Sequence, residues 1–301
     1  MTPVVSIIIP CFIATPRQAE LLEETLDSVE QQSFRDYEVV IVDDGSPIDV
    51  RPSVGERSHT QIVRQSNVGS AAARNTGIRH SHGEFVVFLD ADDHLLPPAL
   101  HTGVDHLRAA SDAGFAIGPR EEMTFEGEAV AWTVPPPPRE SDVYRSLLAF
   151  DWYIIPPSSA MFRRSVVEDV GGFQDPWGAD DLDFYLRVAR RHRACCYQTP
   201  PVTRYRRYST SSSRDGERML RSVRVVYERQ WAIVRGNPDL EAAYHQGLAA
   251  LTEIFLDCVA ENVQDRLRAG SRDAALRAAT LLRKESPARW RDLQTRWGSG
   301  A

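Results

Sequence analysis

Short apolar runs, separated by amphipathic segments, fill the first 90 residues of the chain. Three runs have the near-continuous apolar character of strands buried on both faces: 4–9, 37–42 and 85–89. A shorter strand is expected at 61–63. Pro10 is expected to stop the first strand. Residues 17–31 carry an apolar stripe and residues 69–78 are rich in alanine, so both segments predict helices. This alternation predicts an α/β layered sheet, in which ligands bind beyond the carboxyl ends of the strands.

The second half of the chain is less regular before it becomes helical. Residues 114–134 alternate between apolar and polar positions, which predicts strands or a meander. Residues 180–191 place their apolar side chains on one helical face. Residues 214–301 have a helical pattern almost to the end, with breaks expected at 236–238 and near Gly270.

The composition is that of a globular protein with a full core, since 42% of the 301 residues are apolar and 26% are charged. At roughly 150 residues per domain, this length predicts about two domains. The net charge of −7 is unevenly distributed, because residues 1–213 carry −10 and residues 214–301 carry +3. An acidic body argues against nucleic-acid binding, which needs clustered cations. Lys284 is the only lysine, so the other 34 basic side chains counted with it are arginines.

Cysteine usage and hydropathy bear on the compartment. The four cysteines, at 11, 195, 196 and 258, show no CxxC spacing, which argues against a structural zinc site or a disulfide framework and fits a reducing cytoplasm. No apolar run reaches the roughly 18–20 residues that span a bilayer, and residues 4–10 lack the basic flank and cleavage site of a signal peptide. We therefore expect a cytoplasmic protein without a transmembrane segment, and peripheral contact with the inner face of a membrane stays open.

Two acidic turns follow apolar runs at predicted strand ends. Asp90, Asp92 and Asp93 bring together three carboxylates that repel one another unless a cation or hydrogen bonds hold them. Such oxygen ligands suit Mg²⁺ or Mn²⁺ shared with substrate phosphates, and the alternative is a solvated turn that caps the next helix. Asp44 lies in the second turn, where its carboxylate either forms an Asx-turn with the local backbone or accepts hydrogen bonds from a nucleobase or ribose.

Two predicted helix starts also carry candidate chemistry. Backbone N–H groups near Gly69, with Arg74 one turn into the helix, can bind a diphosphate. The segment matches neither the G-x-G-x-x-G nor the Walker pattern, and small residues that pack a helix against a sheet explain it equally well. Asp180, Asp181 and Asp183 lie at the other start, where the helix dipole alone favours acidic residues.

Together these segments resemble the inverting glycosyltransferases of family 2, which have the nucleotide-diphospho-sugar transferase (GT-A) fold. The resemblance runs from Val4 to about Arg214 and rests on five segments in this order: SIIIPCF (6–12), LLEETLDSVEQQSFRDYEVVIVDDGS (21–46), NVGSAAARNTGI (67–78), GEFVVFLDADD (83–93) and GGFQDPWGADDLDFYLRV (171–188). It implies a Rossmann-like mixed sheet flanked by helices. The implied parts are a catalytic domain (1–213), with a nucleotide-sugar half (1–113) and an acceptor and catalytic-base half (114–213), and a helical extension (214–301).

The resemblance also implies a role for each matching position. Asp92 would be the metal-coordinating carboxylate, assisted by Asp90 and Asp93, for an Mg²⁺ or Mn²⁺ ion that stabilises the diphosphate as leaving group. Asp181, next to Asp180, would be the general base that takes the proton from an acceptor hydroxyl, with inversion at the anomeric carbon. The positions implied in nucleotide binding are Pro10, Phe12, Asp44, Gly69, Arg74, Asp90 and Ala91.

Two positions depart from the family pattern. Ile13 stands where the family commonly has an Asn, which alters the loop into the first helix. Tyr208 stands where many members have a His near the metal and diphosphate, and tyrosine is a poor ligand for such a metal. Trp177 either offers an apolar face to an acceptor sugar or packs within the fold. Three arginines can neutralise the diphosphate instead, or form only an exposed basic strand: Arg204, Arg206 and Arg207.

The sequence therefore predicts a metal-dependent inverting glycosyltransferase. It would move a sugar from a nucleotide-diphospho-sugar, with UDP favoured on family grounds, to a saccharide, lipid-linked or protein acceptor. The alternatives are another phosphate-handling enzyme, such as a nucleotidyltransferase or phosphatase, and a non-catalytic protein that binds nucleotide sugars. The helical extension is expected to pack on the catalytic domain. Alternatively, it forms a homodimer, covers the acceptor site or contacts an anionic membrane surface.

Overall fold

The chain folds into two compact units. The computed structural model describes residues 2–130, 142–151, 156–174, 178–208 and 211–298. The first unit is drawn from Met1–Leu147, Trp152–Asp175 and Asp180–Tyr208, and the second from Leu148–Asp151, Pro176–Ala179 and Ser209–Ala301. The domain boundary expected after residue 213 stays a prediction.

Two β-sheets form the centre of the first unit. Its strands are, in chain order, β1 (Val5–Cys11), β2 (Tyr37–Asp43), β3 (Thr60–Arg64), β4 (Phe85–Phe88), β5 (His94–Leu95), β6 (Ala113–Ile117), β7 (Arg120–Met123), β8 (Ala160–Arg163), β9 (Arg193–Cys196) and β10 (Thr203–Arg206). Within the described residues, seven of them form a mixed sheet in the order β3-β2-β1-β4-β8-β6-β9, in which β8 runs antiparallel to both of its neighbours. The strands β5, β10 and β7 form a second, smaller sheet in that order.

Helices connect these strands, so the predicted α/β class with a mixed sheet flanked by helices is confirmed. They are α1 (Pro16–Glu30), α2 (Arg51–Val54), α3 (Ser70–Arg79), α4 (Ala99–Ala109), α5 (Val143–Ala149), α6 (Arg164–Asp169) and α7 (Asp180–Arg191). The helices expected at 17–31 and 69–78 lie within one residue of α1 and α3. Thr15 begins α1 through a capping box with Gln18, in which each residue binds a backbone N–H of the other.

The centre of strand β1, Ile7 to Ile9, is apolar because both of its faces are covered by helices. On one face, Ile7 and Ile9 pack in the same buried cluster as Leu22 of α1. On the other face, Ile8 meets α3 so closely that a Cβ added to Gly77 would lie 2.2 Å from Ile8 Cγ2. Glycine at position 77 therefore sets how near α3 can approach the sheet.

The strand β1 continues through Pro10 to Cys11, although the sequence predicts a stop at Pro10. The carbonyl oxygen of Ile8 accepts a hydrogen bond from the backbone N–H of Leu89 at 2.9 Å, on the side of β4. Pro10 lies two residues further on and faces the same side, where β4 has already ended. Its missing N–H thus leaves no ladder hydrogen bond unmade, which is why the strand tolerates it.

The second unit is helical, as predicted, with α8 (Gly216–Val234), α9 (Pro238–Arg268), α10 (Arg272–Glu285) and α11 (Pro287–Gly298). The two expected breaks are confirmed at Gly236 and Gly270, whose φ angles of 92° and 74° are accessible to glycine without strain. A third break, before Pro287, was not predicted. Among the described residues, no helix combines the length and apolar character needed to cross a membrane.

Candidate active site

The carboxyl ends of β1, β2 and β4 form one edge of the main sheet. The strand β1 pairs in parallel with both β2 and β4, so the residues at the ends of the three strands come together at this edge. Five of the residues predicted to bind the nucleotide lie here: Pro10 and Phe12 at the end of β1, Asp44 after β2, and Asp90 and Ala91 after β4.

Asp44 holds the loop that enters α3. Its Oδ1 accepts hydrogen bonds from Gln65 Nε2 at 2.8 Å and from the backbone N–H of Val68 at 3.0 Å. Its Oδ2 accepts a third from the backbone N–H of Gly69 at 2.9 Å. Gly69 has a φ of 96°, which favours glycine at this start of α3. Gln65 was not predicted, although its place just beyond β3, next to the end of β2, was an available signal.

Two exposed apolar side chains flank Asp44. Phe12 is 43% exposed and Val68 is 56% exposed. Phe12 follows Cys11, whose carbonyl accepts a hydrogen bond from the backbone N–H of Asp44 at 2.9 Å. The backbone N–H of Val68 donates directly to the Asp44 carboxylate. An exposed aromatic ring next to a carboxylate is a combination that binds a planar heterocycle.

Arg74 connects the end of β4 to the start of α7. Its Nη2 donates to Asp90 Oδ1 at 2.7 Å, and its Nη1 donates to Asp180 Oδ2 at 2.5 Å. The side chain is buried, and the guanidinium lies over the ring of Phe173 at 5.2 Å from its centroid. The hydroxyl of Ser70 also donates to Asp180, at 3.3 Å. The structure thus joins a residue predicted for the nucleotide site to the acid pair predicted for catalysis.

Asp180 and Asp181 begin α7 but have different surroundings. Asp180 is buried and paired with Arg74. The carboxylate of Asp181, among the described residues, accepts a hydrogen bond only from the backbone N–H of Leu182, at 2.7 Å. Burial, followed by the negative charge of Asp180, raises the pKa of Asp181 to about 7. A carboxylate with that pKa exchanges protons near neutral pH, which suits a general base.

Asn75 fixes the segment that precedes α7 in the chain and was not predicted. Its side chain donates to the carbonyl of Phe173 and accepts from the N–H of the same residue, each at 2.8 Å. Gly172 has a φ of 67°, and a Cβ there would lie 2.4 Å from Asn75 Oδ1. The position of Asn75 directly after Arg74, on the same helix, was the available signal. Two consecutive residues of α3 therefore place the approach to α7 and its first turn.

The acidic turn after β4 points its carboxylates in different directions. Oδ2 of Asp92 accepts a hydrogen bond from the phenol of Tyr208 at 2.7 Å. Asp93 is fully buried and accepts hydrogen bonds from Ser158 Oγ at 3.0 Å and from the backbone N–H of Arg206 at 2.9 Å. Asp93 was expected to assist a metal ion, but its carboxylate anchors the turn to the protein interior instead.

Arg206 is a buried cation that supports the same turn. Its Nε donates to the carbonyl of Asp92 at 2.8 Å, its Nη1 to the carbonyl of Phe125 at 2.6 Å, and its Nη2 to Glu24 of α1 at 2.6 Å. Because all three nitrogens are engaged and the side chain is buried, Arg206 has no group to offer a diphosphate. This burial corrects the expectation that Arg206 neutralises the diphosphate.

The other two arginines near β10 lie along the smaller sheet. Arg204 pairs with Glu121 at 2.8 Å and Arg207 pairs with Glu122 at 3.0 Å, both partners belonging to β7. The Arg207 side chain remains 54% exposed, so a diphosphate contact by Arg207 stays a prediction. Trp177, the proposed acceptor platform, lies outside the described residues.

Asp92 has the properties of a ligand for a divalent cation. Within the described residues, no three His, Cys, Asp or Glu side chains form a group that could hold a metal ion by themselves. Asp92 nevertheless offers a hard oxygen oriented by Tyr208, and burial, then the charge of Asp90, raises its pKa, so that a cation would relieve the buried charge. Mg²⁺ commonly takes one or two carboxylates and completes its ligands with substrate phosphates and water. The donor set therefore fits a divalent cation held by Asp92 together with a diphosphate.

Comparison with known proteins agrees with this geometry. The sequence model described as Glycosyl transferase family 2 matches residues 6–171. The glycosyltransferase YwdF of Bacillus subtilis is 30% identical to this chain over 196 residues, which is 63% of this chain and 69% of YwdF.

Two solved structures are also similar. TarS 1–349 of S. aureus, in complex with UDP-GlcNAc, matches with a TM-score of 0.58 at 17% identity, over 90% of this chain and 89% of TarS, and this likeness concerns the fold. The mannosyltransferase PcManGT of Pyrobaculum calidifontis, in complex with GDP-Man and Mn²⁺, matches with a TM-score of 0.57 at 25% identity, over 98% of this chain and 84% of PcManGT.

Proposed function

Because this chain belongs to glycosyl transferase family 2, we propose that it transfers a sugar from a UDP-sugar to an acceptor hydroxyl, with inversion at the anomeric carbon. One observation carries this proposal. Arg74 joins Asp90, at the proposed nucleotide edge, to Asp180, the neighbour of the proposed base Asp181. Displacement at a sugar carbon needs an activated donor and a base held close together, and this contact supplies that arrangement.

The nucleotide is assigned to the carboxyl edge of the main sheet. Asp44 lies there together with the exposed residues Phe12 and Val68, and Pro10, Gly69, Asp90 and Ala91 complete the assigned set. The structure of TarS with UDP-GlcNAc and that of PcManGT with GDP-Man support a nucleotide-sugar donor for this fold. The choice of UDP rests on the family pattern in the sequence.

The metal is assigned to Asp92, with Tyr208 as the residue that orients the carboxylate. A bound Mg²⁺ or Mn²⁺ ion would supply Lewis-acid stabilisation of the negative charge on the leaving diphosphate. The Mn²⁺ in the mannosyltransferase structure supports metal use in a similar protein.

Asp181 is assigned as the general base. As the acceptor oxygen forms its bond to the anomeric carbon, the bond from that carbon to the diphosphate oxygen breaks, and its electron pair leaves with the nucleoside diphosphate. The proton of the acceptor hydroxyl passes to the Asp181 carboxylate. A single displacement with one base predicts inversion. The adjacent Asp180 is less suited to this role, because Arg74 already holds its carboxylate.

The domain assignment follows from these sites. Residues 1–213 are assigned to the catalytic domain, with the donor bound by residues 1–113 and the acceptor by residues 114–213. Residues 214–301 are assigned to a helical extension. The acceptor is a hydroxyl of a saccharide, a lipid-linked saccharide or a protein, which places the reaction in polysaccharide or glycoconjugate synthesis.

A thermal-shift panel followed by one isosteric variant tests the proposal. UDP-glucose, UDP-galactose, UDP-N-acetylglucosamine and GDP-mannose are each added with and without Mg²⁺ or Mn²⁺, and we expect metal-dependent stabilisation by a UDP-sugar. Asp181→Asn should then still bind UDP in calorimetry, but it should no longer catalyse the release of UDP from the UDP-sugar. The matched control is Asp112→Asn, at an exposed carboxylate paired with Arg193, which should keep both. Absence of nucleotide binding would refute the donor site, and UDP release by Asp181→Asn would refute the base.

A further inference from the structure

Arg74 is a buried cation with one carboxylate on each side. It joins Asp90, after β4, to Asp180, in the first turn of α7, through its two outer nitrogens at 2.7 and 2.5 Å. We infer that Arg74 is a positioning residue, which holds the start of α7 against the acidic turn and so sets the place of Asp181 relative to the donor. This inference rests on the proposed function, and specifically on Asp181 as base.

The surroundings of Arg74 leave its guanidinium one orientation. An unpaired buried cation is strongly destabilising, so both carboxylates are needed to hold the charge inside the protein. The ring of Phe173 covers one face of the guanidinium at 5.2 Å. The backbone of Phe173 is itself held by Asn75, the residue that follows Arg74 on α3. A rigid element, the helix α3, therefore carries both contacts that place α7.

Arg74 also distinguishes between the two adjacent acids. It pairs with Asp180 and makes no hydrogen bond to Asp181, so one carboxylate is fixed and its neighbour is left to accept a proton. Among the described residues, the charged and titratable groups that act on Asp181 are Arg74 from α3, Asp90 from the acidic turn, Asp180 and Tyr185 from α7, and Tyr205 from β10. Arg74 is the only cation among these five, and it favours the ionised form of Asp181.

The geometry opposes a direct role for Arg74 in binding the diphosphate, which the sequence suggested. Both outer nitrogens already donate to carboxylates, and the side chain is 7% exposed. A ligand role would require one of these ion pairs to break and leave a buried carboxylate without its partner. The two roles therefore make opposite predictions for nucleotide affinity.

The experiment compares Arg74→Lys and Arg74→Gln with the wild type, using UDP and Mg²⁺ as the binding probe. We expect the dissociation constant of UDP to change by less than about threefold, because Arg74 supports Asp90 of the assigned nucleotide set but does not itself bind the ligand. The rate of UDP release from the UDP-sugar selected by the thermal-shift panel, with water as acceptor, should fall at least about tenfold at an unchanged KM. Arg74→Lys should retain more of the rate than Arg74→Gln, since it keeps the charge but cannot span both carboxylates.

The pH dependence supplies a readout that a merely structural role would not move. Loss of the Arg74 charge in Arg74→Gln should move the midpoint of the rate profile to higher pH, because a cation that favours ionised Asp181 is gone. Asp180→Asn removes a negative charge and should move the midpoint to lower pH. The same shifts are read without turnover from carboxyl-carbon NMR of aspartate-labelled protein, with Asp181→Asn to assign the signal.

Clear outcomes would overturn the inference. If Arg74→Gln weakens UDP binding tenfold or more and leaves the midpoint unchanged, Arg74 is a diphosphate ligand. If the rate and the midpoint of both variants match those of the wild type, Arg74 has no part in the reaction. In the unaltered protein, we expect the Nε–H signal of Arg74 to keep its chemical shift when UDP and Mg²⁺ are added, and a large shift would overturn the inference even if both variants misfold. Release of UDP by Asp181→Asn would instead reject the proposed function.

Discussion

The phenol of Tyr208 donates a hydrogen bond to the carboxylate of Asp92 at 2.7 Å. Tyr208 stands where many similar proteins have a histidine near the metal and the diphosphate. A neutral phenol is a poor metal ligand, and here it donates to the carboxylate that we propose as the ligand of a divalent cation. The burial of the phenol and the charge of Asp92 raise the pKa of Tyr208, so it stays a hydrogen-bond donor across the working pH range.

The first prediction concerns metal affinity. Tyr208→Phe removes one hydrogen bond to a charged group, worth about 1.5–3 kcal/mol, so we expect Mn²⁺ to bind about 10- to 100-fold more weakly in the presence of UDP. Electron paramagnetic resonance of free Mn²⁺ measures this. The matched control is Tyr37→Phe, whose hydroxyl donates to the carbonyl of Val29 at 3.3 Å, and it should leave the affinity unchanged. Equal affinities in the two variants would show that Tyr208 does not orient a metal ligand.

The second prediction concerns the pH dependence of the wild-type rate. A general base acts in its ionised form, and the pKa of Asp181 is raised to about 7, so the rate should be lost as pH falls through about 7. The same carboxylate holds its proton in the folded state at pH values where the unfolded chain has released it. As pH rises from about 4 to about 7, the free energy of unfolding should therefore decrease, and Asp181→Asn should flatten that slope. Rate profiles in Mg²⁺ and urea unfolding at several pH values test both parts. A rate that is constant down to pH 5 would contradict the assignment.

The third prediction concerns the buried cation under the acidic turn. Arg206→Met removes the donor to Glu24 Oε2 and to two backbone carbonyls, while Glu24 keeps its pair with Arg17, so we expect a loss of about 3 kcal/mol in the free energy of unfolding. Arg193→Met breaks an exposed pair with Asp112, which should cost less than about 1 kcal/mol. Urea unfolding of both variants compares the two costs. Equal losses would mean that the buried network does not hold the turn.

The fourth prediction concerns the approach of α3 to the sheet. Gly77→Ala places a methyl group 2.2 Å from Ile8 Cγ2, and such overpacking should destabilise the protein by about 1–3 kcal/mol. Gly103→Ala in α4 is the matched control, because its Cβ meets one side chain, that of Met161, and lies nearest to its flexible end, 2.8 Å from Cε and 3.0 Å from Sδ. The control should be close to neutral, since alanine also favours the helix. Thermal unfolding of the two variants distinguishes them.

The main sheet could be predicted from the sequence because its strands are covered on both faces. Ile7, Ile8 and Ile9 are all buried, so these three consecutive positions are apolar and the strand can be recognised without knowledge of its partners. The small sheet is different. Its strand β5 has two residues, and β10 carries charged side chains at Arg204 and Arg206, so neither has an apolar pattern.

The pairing of charges could not be predicted in the same way. Arg74 meets Asp180 across 106 positions and Arg206 meets Glu24 across 182, and no local pattern encodes such distances. Both arginines were therefore expected to face a diphosphate, as exposed arginines near acidic turns often do. Their burial became visible only with the fold, whereas Asp44 and Asp90 could be placed on one edge from the strand ends alone.

The cations that the described residues place around the acidic turns are guanidinium groups, and this has a consequence for the alkaline side of the rate profile. Guanidinium groups remain protonated wherever the protein is folded, so the positive charge of the site is constant as pH rises. The described residues of the first unit include no lysine amine that could be titrated or acylated. The lone Lys284 lies on α10 of the second unit, 81% exposed, so amine-reactive dyes or surface coupling through this side chain should leave the carboxylates and arginines of the site chemically intact.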